Sequence, residues 1–460
     1  MLPVFDVEPR INGEVRIGSG RGENLIYAGR LAEKNNSSKL IFDGSENFIV
    51  LEVGKRGSGK SYGMASMLEG FAVARDSQIG THQNMRAVLL LDPLDIHWTA
   101  IEPLRADGPE GLAKQYKQFK KWENLEVEPI NVRVFVPAGF QQPTDPSVFR
   151  PYELPVAALD AADWAFLLNC DLVNEPRGQL LDELHRKVTS LGWRKRGASM
   201  PAKRDYTVND LVECAENDEE IERLYQSGTV RSVIQPLRSY ARMALFGSAT
   251  GTPLTELISS GVLSVLSLGR LPAALRTVLT TVIVRKLRYD RMQASQIQRR
   301  LTLINNDSVT RTELQAQLLN HVPRTILAID EAQILMPAKA SSAARRELDA
   351  YVLEGRNYGL SLWMATQRPK GAVSGAAVSQ IDCFIVHRLS VRDDIDAVCG
   401  MLQNAQPERV KLNGRGIELP QMIRSLGTGQ AIFSAAVNSA PRLVVGTIRP
   451  RMVAHGGESF

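Results

Sequence analysis

Short apolar runs bounded by glycine, proline or acidic residues recur along this chain, with helical periodicity between them. "FIVLEVG" is a buried-strand run that stops at a glycine-rich turn, and "KSYGMASMLEGFAVAR" predicts a helix directly after it. "RAVLLLDPLD" predicts a second buried strand, ending in carboxylates at Asp92 and Asp95. "GVLSVLSLGRL", followed by the helical "AALRTVLTTVIVRKLRYDRMQ", and then "TILAID", "LSLWMATQ" and "DCFIVHRL" repeat the pattern. Apolar strands alternating with helices predict an α/β fold, a mainly parallel sheet flanked by helices.

Two regions depart from that rhythm. Residues 1–45 are polar and turn-rich, with strand-like pieces such as "LIYAGRL", and predict a short N-terminal β segment. Residues 156–248 predict a helical insertion from "AADWAFLLNCDLV", "GQLLDELHRKVTSLGW" and "VNDLVECAENDEEIERLYQ", with the basic stretch "LGWRKRGASMPAKRDY" as a loop. The core then divides into 46–155 and 249–440, followed by a C-terminal strand and tail at 441–460. Within the second part, the polar stretch 293–323 reads as partly helical and surface-lying.

Composition narrows the class. The 460 residues are 44% hydrophobic, enough for a sizeable core, and a net charge of +5 permits a nucleic-acid partner without demanding one. The four cysteines are scattered with no C-x-x-C pair, which fits a reducing compartment and no zinc site. No signal-peptide pattern and no run of about 18 apolar residues is present, so the expectation is a cytoplasmic protein without a membrane partner.

The candidate chemistry begins at "GKRGSGKS", residues Gly54, Lys55, Arg56, Gly57, Ser58, Gly59, Lys60 and Ser61, which fits G-x-x-x-x-G-K-[ST]. Backbone N–H groups of such a loop cradle the phosphates of ATP, Lys60 would bridge the β- and γ-phosphates, and Ser61 would ligate Mg²⁺. In "RTILAIDEAQILMP", Asp330 and Glu331 stand at a strand's C-terminal end. Asp330 would hold the Mg²⁺ shell and Glu331 would polarise the attacking water; a plain helix cap is the alternative. Gln367, ending "LWMATQ", would sense the γ-phosphate or simply close a strand. Arg356 is a candidate trans-acting arginine, in competition with Arg345 and Arg346 and with a plain helix-terminal role. Two basic clusters could meet DNA phosphates or be solvated faces: Arg285, Lys286, Arg288 and Arg291 on one predicted helix, and Arg194, Lys195, Arg196, Lys203 and Arg204 in the insertion's loop.

Taken in order, "GKRGSGKS", "LAIDEAQ", "EGRNYGLSLWMATQRP", "FIVHRLSVRDDIDAV" and the closing "SLGTGQAIF…APRLVVGTIRPR" resemble the HerA branch of the HerA/FtsK superfamily, over roughly residues 40–100 and 250–450. That resemblance implies a RecA-like P-loop ATPase core, ATP and Mg²⁺ as cofactors, and a homo-hexameric ring that moves double-stranded DNA as a translocase or helicase. It implies a separately encoded nuclease, or an effector in antiviral defence, as partner, and it places the trans-acting arginine on Arg356. Family members usually open with a β-barrel of roughly a hundred residues, more than the N-terminal segment can supply. Relatives that move other cargo, such as conjugation and secretion ATPases, are the nearest enzyme alternative. A nucleotide-dependent ring scaffold that activates an effector with little translocation is the alternative from another class.

Overall fold

The computed structural model describes residues 13–32, 38–122, 124–303, 308–335, 343–370, 378–402, 410–412, 415–437 and 440–457. Residues 1–12 and 33–37 of the N-terminal segment, 304–307 of the polar stretch and 458–460 of the tail lie outside them.

Strands β1 (Glu14–Gly18), β2 (Asn24–Leu31) and β3 (Lys39–Asp43) precede β4 (Ile49–Val53), which leads into the glycine loop and the helix Lys60–Glu69. Then come β5 (Gly80–His82), β6 (Ala87–Asp92), β7 (Val132–Pro137) and β8 (Arg150–Tyr152). Strands β9 (Trp193–Lys195) and β10 (Ala198–Met200) form a hairpin inside the helical region. After it come β11 (Leu263–Ser267), β12 (Thr325–Ile329), β13 (Leu360–Thr366) and β14 (Cys383–Val386). A small hairpin of β15 (Val410–Leu412) and β16 (Arg415–Ile417) precedes β17 (Gln430–Val437) and β18 (Ala440–Ile448).

The parallel part of the sheet runs β14-β4-β13-β12-β6-β11-β7-β8. Strands β14, β4, β13, β12, β6 and β11 are buried at every position because both faces are covered. Leu51, Leu89, Leu327 and Leu362 face one side, which packs against the insertion and the helix Ala273–Leu303. Val50, Val88, Ile326 and Trp363 face the other, against Met64, Met67 and Leu68 of the loop helix. The expected α/β architecture is the one observed.

The terminal strands show what pattern alone missed. β1, β3, β2, β18 and β17 continue the sheet beyond β14, and β1 also meets β17 at Ile17–Val437. The circuit of these five strands closes at that pair, so a small barrel-like end is built from both termini. Elsewhere the insertion's predicted loop contains the β9–β10 hairpin. Its turn, Arg196-Gly197, has φ of 48° and 80°, the left-handed pair that a two-residue hairpin requires. The helix Ala273–Leu303 also runs past its predicted end, since no glycine or proline interrupts it.

One buried ion cluster ties the C-terminal segment to the loop helix. Glu69, fully buried, accepts from Arg451 Nε at 2.7 Å, Arg449 Nη1 at 3.3 Å and the Met452 backbone N–H at 2.9 Å. Removing the carboxylate leaves two guanidinium groups in a dry site. Glu69→Ala is therefore expected to lower the unfolding free energy by about 3–5 kcal/mol in urea titration. A change below about 1 kcal/mol would mean that water reaches the cluster.

Candidate functional site

The glycine loop is pinned by both neighbours of its strand. Gly54 N donates to Thr366 O at 3.3 Å, at the end of β13, and Lys55 N donates to Arg388 O at 3.1 Å, just past β14. Ser58, buried, donates from its hydroxyl to Lys55 O at 2.7 Å and tightens the turn. Gly57 and Gly59 have φ of 74° and 101°, and a Cβ on Gly59 would come within 3.1 Å of Gly429 N. The helix that follows has no acidic residue in its first turn, so its positive end is free to face an anion.

Lys60 reaches from that helix across to β12. Its ammonium lies 3.0 Å from Asp330 Oδ1 and 2.9 Å from Glu331 Oε1, with all three side chains buried. Burial disfavours each charge, yet mutual attraction prevails. Asp330 and Glu331 hold Lys60 above its usual pKa, and Lys60 and His97 hold Asp330 well below the usual carboxylate range. Glu331 sits at φ 46°, a left-handed conformation that a non-glycine residue adopts at a cost of about 1–2 kcal/mol. That backbone turn aims its carboxylate at the loop. Gln367 Nε2 donates to Glu331 Oε1 at 2.6 Å and Gln333 Nε2 donates to Oε2 at 2.5 Å. Gln333 is itself held by the Thr366 hydroxyl at 2.7 Å. Lys60, Asp330, Glu331 and Gln367, read from three separate segments, thus meet in one place.

A further member had no sequence signal of its own. His97, five residues past the end of β6, places Nε2 2.9 Å from Asp330 Oδ2. Its backbone N–H donates to Asp92 Oδ2 at 2.7 Å. Burial, with help from Asp330 and Asp95, pushes Asp92 up to about 6. The C-terminal segment backs this corner: His455 stacks edge-on to Tyr62 at 5.2 Å and stays neutral, pushed down to about 3 by burial and by Arg451 and His97. Nothing in "DPLDIH" marks His97, because its pairing with Asp330 is tertiary.

The residues present fit a magnesium ion. Ser61 Oγ and Asp330 Oδ1 converge on the same cationic position, at 3.4 Å and 3.0 Å from Lys60 Nζ. Hydroxyl and carboxylate oxygens are the hard donors Mg²⁺ takes when phosphate oxygens complete its shell. Among the described residues no group of three or more His, Cys, Asp and Glu could hold a metal unaided.

No family model matches the chain. The probable DNA double-strand break repair helicase HerA of Methanocaldococcus jannaschii is 29% identical over 119 residues, which span 26% of this chain and 22% of that relative. Among solved structures, VirB4 of Thermoanaerobacter pseudethanolicus superposes with a TM-score of 0.52 at 14% identity, covering 94% of this chain and 97% of that one. The chain matches only about a fifth of that HerA relative's length, and the VirB4 likeness, at 14% identity, is one of fold. The plasmid coupling protein TrwB, solved with ADP and Mg²⁺, is a more distant likeness, at TM-score 0.43 and 12% identity over 89% of this chain and 86% of that one. The VirB4 likeness extends the fold over nearly the whole chain, as the RecA-like α/β reading expects.

The remaining candidates fall elsewhere in the fold. Arg356 lies in the turn Gly355–Tyr358, at the opposite end of β13 from Gln367. Seven strand residues separate the two, about 20 Å, so Arg356 cannot serve its own loop. Its guanidinium is half-exposed, paired with Asp382 and donating to Gln380 O at 3.1 Å. Arg345 and Arg346 lie in the first turn of the helix Ala343–Glu354.

The basic helix is a correction. Arg285 pairs with Asp160 and Asp163, and Arg288 donates to Glu354 at 2.8 Å and Glu347 at 3.1 Å. Arg291 is buried, donating to Tyr358 O at 2.9 Å and Val322 O at 2.8 Å, and Lys286 is half-buried, its pKa lowered by burial. Arg285, Arg288 and Arg291 fasten the long helix to its neighbours, so three of the four cations are engaged inside the fold. In the insertion, Lys195 and Lys203 pair with Glu213 and Asp210, while Arg194, Arg196 and Arg204 are exposed around the hairpin. Among the described residues, no helix is long and apolar enough to cross a membrane.

Proposed function

We propose that the chain is an ATP-hydrolysing motor subunit of the HerA type, which assembles as a homo-hexameric ring and moves double-stranded DNA. One observation carries the reading: a single buried lysine at the mouth of a glycine loop is shared by two carboxylates, one of them backed by a strand-end glutamine. Binding of a triphosphate would exchange the carboxylate partners of Lys60 for phosphate oxygens. Mg²⁺ held by Ser61 and Asp330 would supply charge neutralisation on the phosphates. Glu331, released from Lys60, accepts the proton of an attacking water at its carboxylate. Gln367, bonded to that carboxylate, reports whether the γ-phosphate is present.

Support for a ring comes from Arg356. A half-exposed arginine about 20 Å from its own loop fits a role on a neighbour's nucleotide. Around the pore, the β9–β10 hairpin offers Arg194 and Arg196 as the phosphate-contacting residues of the reading. The nuclease or defence effector stays a proposal resting on the family resemblance.

Turnover with and without duplex DNA, and displacement of a third strand from a duplex, test the motor. Arg356→Ala is expected to bind ATP and form rings while turning over about 10³-fold more slowly. Mixed with Lys60→Ala subunits, which keep the arginine but lack the lysine, it should regain activity, peaking at intermediate ratios. Confirmed mixed rings that stay inactive at every ratio would remove Arg356 from the neighbour's site. DNA-independent turnover without strand displacement would favour the scaffold reading.

A further inference from the structure

Beneath the glycine loop lies an acid–imidazole pair that the hydrolysis scheme does not use. Glu52, on β4, and His387, one residue past β14, have no exposed side-chain surface. His387 Nε2 lies 2.8 Å from Glu52 Oε1, and Trp363 Nε1, on β13, donates to Glu52 Oε2 at 2.9 Å. Three adjacent parallel strands thus converge on one carboxylate, on the face covered by the loop helix.

The pair is in contact with both ends of the loop. A Cβ on Gly54 would come 2.8 Å from His387 Cβ, and one on Gly63 would come 2.8 Å from Glu52 Oε1 and 3.3 Å from His387 Cε1. The Cβ position of Gly59 is 3.9 Å from His387 Nδ1. The backbone repeats the attachment, with His387 N donating to Val53 O at 2.8 Å and Arg388 O accepting from Lys55 N at 3.1 Å. With the Nε2 proton committed to Glu52, Nδ1 remains as an enclosed acceptor, without a hydrogen-bond partner among the described residues. A buried polar atom left unpaired carries a desolvation penalty, which a purely packing role would avoid by using an apolar side chain.

We propose that Glu52 and His387 are positioning residues for the phosphate loop: the pair sets how far the backbone N–H groups of residues 54–61 stand above the sheet, and so tunes affinity for a polyphosphate. The inference rests on the phosphate-loop reading above. The imidazole acts as a rigid spacer, oriented by the carboxylate and the indole beneath it. An aliphatic residue of similar size would fill the space but let the ring's fixed height and orientation relax.

The test is equilibrium binding of a fluorescent non-hydrolysable ATP analogue, with thermal melting of each full-length variant alongside. His387→Leu is expected to weaken binding about tenfold or more, since small misplacements of a site are amplified in its function. His387→Gln keeps an amide donor for Glu52 and is expected to stay within about threefold of wild type. Glu52→Gln, which preserves shape but loses the carboxylate's second acceptor, is expected to fall between them. Folded variants that all bind with wild-type affinity, whatever their melting temperatures, overturn the proposal. Should His387→Leu fail to fold, the isosteric Glu52→Gln decides alone, and wild-type affinity there sinks it. A folded wild-type chain that binds no analogue overturns the phosphate-loop reading itself, whereas binding that is lost only in Lys60→Ala rejects the spacer and leaves that reading standing.

Discussion

Replacing Lys60 with alanine is expected to abolish nucleotide binding and lower ATP turnover by at least about 10²–10³-fold. Among the described residues no other lysine or arginine pairs with either carboxylate: Lys60 is 2.9 Å from Glu331 and 3.0 Å from Asp330. The same change leaves two buried carboxylates without their shared cation, with His97 and Ser61 beside Asp330 and the two glutamines beside Glu331. Removing one partner of a buried charged cluster destabilises by about 3–5 kcal/mol, so the variant is also expected to unfold at lower urea concentration. Binding must therefore be measured well below the unfolding midpoint, by titration with a fluorescent ATP analogue. Turnover at the wild-type rate by the folded variant would end the phosphate-loop assignment.

Glu331→Gln is expected to do the reverse: retain ATP, and lose about 10²–10⁴-fold in hydrolysis. The amide keeps the shape of the side chain but cannot take a proton from water. Its hydrogen bonding changes in a way that the structure makes specific. Glu331 accepts from Gln367 Nε2 on one oxygen and from Gln333 Nε2 on the other, and an amide has only one acceptor atom to offer. Either Gln367 or Gln333 must turn its own amide, and Gln333 is held by Thr366. The expected product is a stable ATP-bound protein, read as unhydrolysed nucleotide that co-purifies or fails to chase. If the variant instead loses ATP as severely as Lys60→Ala, Glu331 is structural and the base lies elsewhere.

Much of the site could be read from the chain because its chemistry is local. Gly57, Gly59, Lys60 and Ser61 stand within five positions of one another, and each has a distinct physical requirement: left-handed backbone, a cation, a hydroxyl. Asp330 and Glu331 declared themselves by following an apolar strand. His97, Gln333 and the Glu52–His387 pair did not, because their roles consist only of partners far away in sequence. Arg285 and Arg288 misled for the same reason, since a basic helix face looks free until Asp160, Asp163, Glu347 and Glu354 are brought to it.

The chain by itself determined the alternation of doubly buried strands and amphipathic helices, and hence the parallel sheet and the loop on β4, because periodicity and glycine chemistry act within a few residues. Tertiary structure decided that β1–β3 join β17 and β18 in one closed end, and that Arg356 stands at the far edge from its own loop. It also decided which cations are spent inside the fold. Those outcomes depend on strand pairing and charge neutralisation between segments from 59 to 420 residues apart, where a single residue's type carries no information about its partner.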